Sequence, residues 1–169
     1  MLWWRVGLYY TVYMSTDGTL HFGSASAAQT LEFGAQIGQR LKGGEVIELT
    51  SDLGGGKTTF VRGLARGAGS TDAVSSPSFT LSNEYRMPRL TIVHFDFYRL
   101  QEPGIMQQEL AESISDPQTV TIVEWAGIVE DVLPKERLTI QITATSEETR
   151  QFECAAPPTL AYLLGGVSL

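Results

Sequence analysis

The chain has little of what would tie it to nucleic acid, to a membrane or to itself by covalent links. Of 169 residues one is cysteine, Cys154, so no disulfide closes within the chain and the paired-cysteine patterns that bind zinc are absent. That usage fits a reducing cytoplasm. Basic residues are scarce: 12 Lys and Arg stand against 19 Asp and Glu, a formal charge of −7. A surface that grips phosphate backbones by its own field needs the opposite balance, so any RNA is expected to be held by another subunit. Long hydrophobic runs are missing as well. Residues 1–13 come nearest, with Leu2-Trp3-Trp4 and Val6-Gly7-Leu8-Tyr9-Tyr10, but they are too short to span a bilayer and no clear small-residue cleavage site follows. Two readings of this segment stay open, a start codon set too early and a real apolar extension. Residues 14–169 are expected to form one domain, because no linker or repeat divides them and 43 % hydrophobic with 18 % charged residues suits a folded core.

What is present is concentrated in one stretch. Residues 45–50, Glu-Val-Ile-Glu-Leu-Thr, read as a buried strand; Ser51-Asp52-Leu53-Gly54-Gly55-Gly56-Lys57-Thr58 follows at once; and a helical pattern runs over residues 57–68. Strand, glycine-rich turn, Lys-Thr and helix in that order are the context a phosphate-binding loop requires. Glycines let backbone N–H groups converge on phosphate oxygens, and the helix N-terminus adds its positive dipole end. Lys57 is expected along the β- and γ-phosphates, and the Thr58 hydroxyl in the shell of a magnesium ion, which favours hard oxygen ligands. The usual pattern opens with glycine where Ser51 stands.

Around this loop the chain alternates strand and helix patterns. A short strand over residues 19–22 precedes a helix capped by Ser24 or Ser26 that runs to about residue 42, with Leu31, Ala35, Gly38 and Leu41 on one face. Gly67 and Gly69 close the helix after the loop. Strands are expected over residues 79–85, 90–98 and 119–125, a helical segment over 101–114, a final hairpin from 137–145 and 150–155, and a short helix near 159–164. The class is α/β, with a mainly parallel, P-loop NTPase-like sheet flanked by helices, antiparallel additions and a C-terminal hairpin.

Phosphoryl chemistry needs an acid beside the loop, where a strand ends. Asp96 and Glu124 each sit late in a strand pattern, and both qualify. In residues 90–98, Leu90, Ile92, His94, Asp96 and Tyr98 share one face, on which His94 reads as a packed or surface residue. Ser75-Ser76-Pro77-Ser78-Phe79-Thr80 reads either as an ordinary loop or as a hydroxyl-bearing switch near the γ-phosphate. Pro77 holds Ser76 out of helical geometry in both cases.

Four segments occur together in order: Asp52-Leu53-Gly54-Gly55-Gly56-Lys57-Thr58-Thr59; Ser75-Ser76-Pro77-Ser78-Phe79-Thr80-Leu81 with Asn83-Glu84-Tyr85; His94-Phe95-Asp96-Phe97-Tyr98-Arg99-Leu100; and Ile122-Val123-Glu124-Trp125. In these, from about residue 22 to 152, the chain resembles the TsaE (formerly YjeE) family. The resemblance implies a small ATPase of tRNA threonylcarbamoyladenosine biosynthesis. It would work with TsaB and TsaD, touch tRNA only through that complex and have no membrane partner. It further implies that Leu53, Gly54, Gly55, Gly56, Lys57 and Thr58 bind the phosphates of ATP, with Thr59 extending the hydroxyl pair. Thr58 and Glu124 would hold magnesium and Asp96 would orient water at the nucleotide. Ala27 and Thr30 would border the adenine, Ser76 and Ser78 would lie in a switch loop, Trp125 would flank the acidic ligand, and Arg150 would reach the nucleotide from the final hairpin.

The chain departs from the family pattern twice, with Ser51 for glycine and Gly55 for alanine. The second change costs backbone entropy in the free loop; the first is expected to lower affinity or alter loop closure. Two other functions share a P-loop. A small-molecule kinase needs an arginine-bearing lid, whereas arginines after the loop helix occur singly at Arg86, Arg89, Arg99, Arg137 and Arg150. A non-catalytic adaptor would use ATP binding alone to order the switch loop.

Overall fold

Strands that are apolar on both faces belong in the middle of a sheet, and here they surround the glycine-rich loop. A computed structural model describes residues 12–102 and 104–168. In chain order the elements are β1 (Val12–Met14), β2 (Leu20–Ser24), α1 (Ala27–Gly38), β3 (Val46–Ser51), α2 (Lys57–Ala68), β4 (Ser82–Arg86), β5 (Thr91–Asp96), α3 (Met106–Ser115), β6 (Thr119–Glu124), β7 (Leu138–Ala144) and β8 (Arg150–Ala155). Short 3-10 helices lie at Ala126–Ile128 and Pro158–Leu163. All but the first eleven residues of the N-terminal segment are therefore described, and β1 straddles the division expected between Tyr13 and Met14.

The eight strands form one mixed sheet in the order β1-β2-β8-β7-β3-β6-β5-β4. Its centre is parallel, β7 with β3, β3 with β6, and β6 with β5. Antiparallel strands extend it on both sides: β4 pairs with β5, and β8, β2 and β1 continue from β7. Every residue of β6 is buried, as expected for a strand covered on both faces. One face packs Ile47, Leu49, Ile122 and Ile140 under Phe33, Ile37, Phe60 and Leu64 of α1 and α2. The other packs Val46, Phe95 and Val123 under Met106 and Leu110 of α3.

Ser26 caps α1 by accepting from Gln29 N–H, while Gln29 Oε1 accepts from Ala25 N–H at 2.8 Å; this is a reciprocal arrangement close to a capping box. The helices α1 and α2 touch backbone to backbone. A β-carbon at Gly34 or Gly38 would lie 2.4 Å from Phe60 O or 2.0 Å from Leu64 O, and one at Gly63 or Gly67 would lie 2.1 Å from Leu31 O or from Ala35 O. Gly67 is thus a packing residue, and α2 ends at Gly69 alone, whose φ of 98° gives the left-handed cap. The strand expected from residue 79 begins three residues later. Thr80 and Leu81 N–H both bond to Pro77 O, and Leu81 takes φ 66°, so this tight turn leaves the Phe79 side chain exposed. The helix expected from residue 101 begins at Met106, after a turn at Gly104 with φ 50°. Among the described residues no helix is long and apolar enough to cross a membrane.

Candidate nucleotide-binding site

The loop between β3 and α2 lies at the carboxyl edge of the parallel strands, where α/β sheets place their ligands. Gly54 and Gly56 adopt φ 74° and 107°, conformations that a side chain makes costly. Gly56 is the N-cap of α2 and no side chain caps it, so the first-turn N–H groups keep their capacity for an anion. Lys57 is buried beneath the loop. Its Nζ donates to Ser51 Oγ at 2.9 Å and lies 3.4 Å from Ser51 O and 3.5 Å from Asp52 O. Glu124 Oε2 stands 3.6 Å away and the Trp125 ring 5.4 Å.

Glu124 ends β6 opposite Asp96, the last residue of β5, in direct parallel register. Both carboxylates are buried, and buried carboxylates require partners. Glu124 Oε1 pairs with His94 Nε2 at 2.8 Å in addition to facing Lys57. Asp96 accepts from Tyr98 N–H at 2.9 Å and from the Ser78 hydroxyl, whose oxygen is 2.8 Å from that of Ser76. The two serines of the expected switch therefore hang from the site acid. The start of the same loop is fastened to β4, because Tyr85 Oη donates to Ser75 O at 2.9 Å; burial pushes this phenol up from its ordinary value.

Behind the loop is a cavity of about 220 Å³ lined by Ala27, Thr30, Gly56, Thr59, Glu148 and Arg150, among others. The positions expected to border the adenine thus share one wall with the loop. Thr30 Oγ1 lies 2.9 Å from Ser24 Oγ. Arg150 Nε donates to Gly55 O at 2.9 Å, and its Nη1 donates to Ser146 O and Thr149 O, so the guanidinium fastens the final hairpin to the glycine-rich loop. Trp125 leaves β6 with φ 58°, partly exposed, its ring 5.0 Å from that of Tyr98. The Leu53 side chain is exposed and offers the site only its backbone. Thr58 is half-buried, and its hydroxyl makes no hydrogen bond among the described residues.

Two features escaped the sequence. His94 is fully buried against Glu124, and its Nδ1 has no partner among the described residues. Its position two residues before Asp96 on one strand face was the available signal. Glu147 and Glu148 line the cavity only because β7 and β8 fold back as a hairpin. The donor set fits magnesium. Thr58 Oγ1 and the Glu124 carboxylate are hard oxygens, the donor type this ion prefers.

Residues 24–152 match the model of the family described as Threonylcarbamoyl adenosine biosynthesis protein TsaE. The chain is 40 % identical over 116 residues to the tRNA threonylcarbamoyladenosine biosynthesis protein TsaE of Bacillus subtilis, covering 68 % of this chain and 72 % of that one. It is 34 % identical over 143 residues to the protein of the same name from Nostoc, covering 83 % and 88 %. Among solved structures, that of Bacillus subtilis YdiB superposes with a TM-score of 0.70 at 30 % identity, over 91 % of this chain and 93 % of the other. Together with the loop and its paired strand-end acids, these likenesses establish that the chain belongs to the TsaE family of tRNA threonylcarbamoyladenosine biosynthesis.

Proposed function

We propose that the chain binds ATP and magnesium at this loop and hydrolyses ATP in the cytoplasm to support repeated turnover of a TsaB–TsaD pair. In that scheme TsaD transfers the threonylcarbamoyl group to adenosine 37 of tRNA, and this chain meets the tRNA only through the complex. The observation that carries the reading is Lys57 beneath the loop facing Glu124 at 3.6 Å, with Asp96 next to Glu124 in the strand register and a cavity lined by α1, Gly56 and Arg150.

The geometry supports a role for each residue in this reading. The loop N–H groups and the α2 N-terminus bind phosphate oxygens. Lys57 has one short hydrogen bond and three longer approaches, which leaves donors for the β- and γ-phosphates. Thr58 and Glu124 would hold the cation. Magnesium bound there would supply charge neutralisation to the phosphates. Asp96, fixed by Tyr98 N–H, orients the attacking water, and the Ser78 hydroxyl on its other oxygen links that acid to the switch loop.

The test is ATP hydrolysis by the chain mixed with TsaB, TsaD and tRNA. Lys57→Ala removes the cation that meets charge developing on the transferred phosphoryl group, and the rate should fall about a hundredfold or more; an unchanged rate refutes the site. Asp96→Asn separates an enzyme from an adaptor. The enzyme loses hydrolysis and tRNA modification together, whereas an adaptor, which needs nucleotide binding alone, keeps full modification.

A further inference from the structure

Position 55 is the only glycine of the Gly54-Gly55-Gly56 run whose φ lies outside the left-handed region, so its backbone would accept a side chain. Space is what forbids one. A β-carbon there would lie 2.6 Å from Ser51 Oγ, 2.8 Å from Ser51 Cβ and 2.9 Å from Asp52 O. Two of these three contacts belong to the Ser51 side chain, and that side chain is not idle. Its hydroxyl donates to Asp52 O at 2.9 Å and accepts from Lys57 Nζ at 2.9 Å. It is the shortest polar contact of the buried ammonium, against 3.4 Å, 3.5 Å and 3.6 Å for the others.

We infer that Ser51 is a positioning residue for Lys57, and that Gly55 is the vacancy its side chain requires, so that the two positions act as one unit. The side chain at position 51 fills the space beside Gly55 and also supplies an oxygen to the lysine. By donating to Asp52 O, the hydroxyl turns its lone pairs toward the ammonium. Only one of the three Nζ donors is spent at short range, so the arrangement orients the lysine without withholding it from phosphate. An unlinked serine at this position would merely crowd the loop entry. A linked one replaces conformational freedom of a long side chain with a fixed geometry before ligand arrives, which lowers the ordering cost of binding. This inference rests on the nucleotide-binding reading for its effect on affinity, though not for the coupling itself.

The experiment uses the full chain as wild type, Ser51→Ala, Gly55→Ala and the double variant Ser51→Gly/Gly55→Ala, each checked for folding by circular dichroism. The chain has three lysines, Lys42, Lys57 and Lys135, so the side-chain ammonium groups of 15N-lysine-labelled protein can be followed one by one by NMR without nucleotide. A slowly exchanging Lys57 ammonium signal is expected in wild type and its loss in Ser51→Ala, where only the hydroxyl is removed; an equal signal in both overturns the positioning role. Titration with a fluorescent ADP analogue and magnesium reads the second half. Gly55→Ala should weaken binding about tenfold through overpacking, Ser51→Ala several-fold, and the double variant should recover to about the level of Ser51→Ala. Gly55→Ala binding like wild type, or a double variant as weak as Gly55→Ala, overturns the coupling. Wild type that binds no nucleotide refutes the proposed function instead, and leaves the ammonium signal to decide whether Ser51 holds Lys57.

Discussion

Gly63 sets two physical effects against each other. It sits inside α2, where replacing glycine by alanine ordinarily stabilises a helix by about 1 kcal/mol. Here the added β-carbon would lie 2.1 Å from Leu31 O and under 3 Å from the Leu31 carbonyl carbon and Cα. Ordinary contact begins near 3.4 Å, so the two backbones must separate by 3.4 − 2.1 = 1.3 Å at that point. No flexible side chain can give way. Separation would loosen the Phe33 and Phe60 rings, whose centroids are 5.7 Å apart, and the Phe22 ring stacked 4.1 Å from Phe33. Overpacking costs about 1–3 kcal/mol when side chains can adjust, and rigid backbone puts this case at the upper end. Subtracting the propensity gain leaves a net loss of about 2 kcal/mol or more, a fall in Tm of roughly 4–8 °C for a domain of this size. Urea unfolding followed by circular dichroism measures it, with Gly127→Ala as control, because nothing lies within 4 Å of a β-carbon there and its φ is not left-handed. The loss should extend to nucleotide affinity, since α1 carries Ala27 and Thr30 and α2 carries Lys57 and Thr58. A Gly63→Ala protein as stable as wild type, or more stable, would refute the close-packed seam.

His94→Leu keeps an apolar volume in the core but leaves Glu124 Oε1 without its partner. Stability should fall by about 1–3 kcal/mol in urea titration, and unchanged stability would show that the pair contributes nothing. Cys154 is fully buried and burial pushes its thiol well above the ordinary range; a thiol reagent should leave the native chain unlabelled and react only as it unfolds, so rapid native labelling would contradict the packing of β8. Glu124→Gln should abolish most of the gain in nucleotide affinity that magnesium gives over EDTA, while metal-free binding changes less. An equal loss under both conditions would remove Glu124 from the metal shell.

The sequence revealed what is built from neighbouring residues. The bounds of α2, the hairpin of β7 and β8, and the shared face of Ile92, His94 and Asp96 all come from local periodicity and turn chemistry, and each has its counterpart in the fold. Features that depend on two distant segments did not show. Gly38 reads as one member of an apolar face and Gly67 as a helix end, because only the juxtaposition of α1 with α2 reveals the seam they form with Gly34 and Gly63. His94 reads as packing until Glu124 is brought beside it across the strand register. The turn at residues 77–81 was hidden for a different reason. Phe79 and Thr80 favour strands, and two N–H groups closing on Pro77 O overrode that propensity.

The balance of buried charge suggests how the parts act together. Asp96 is satisfied by neutral donors, the Ser78 hydroxyl and the Tyr98 N–H, whereas Glu124 relies on an imidazole and on an ammonium 3.6 Å away. In low-dielectric surroundings that ammonium is a large part of what makes a buried carboxylate tolerable. If the proposed function holds, phosphate that draws Lys57 toward itself would take the cation away from Glu124 and leave the acid needing another. The register sets Glu124 beside Asp96, the acid that accepts from Ser78 in the loop on which Phe79 stands exposed.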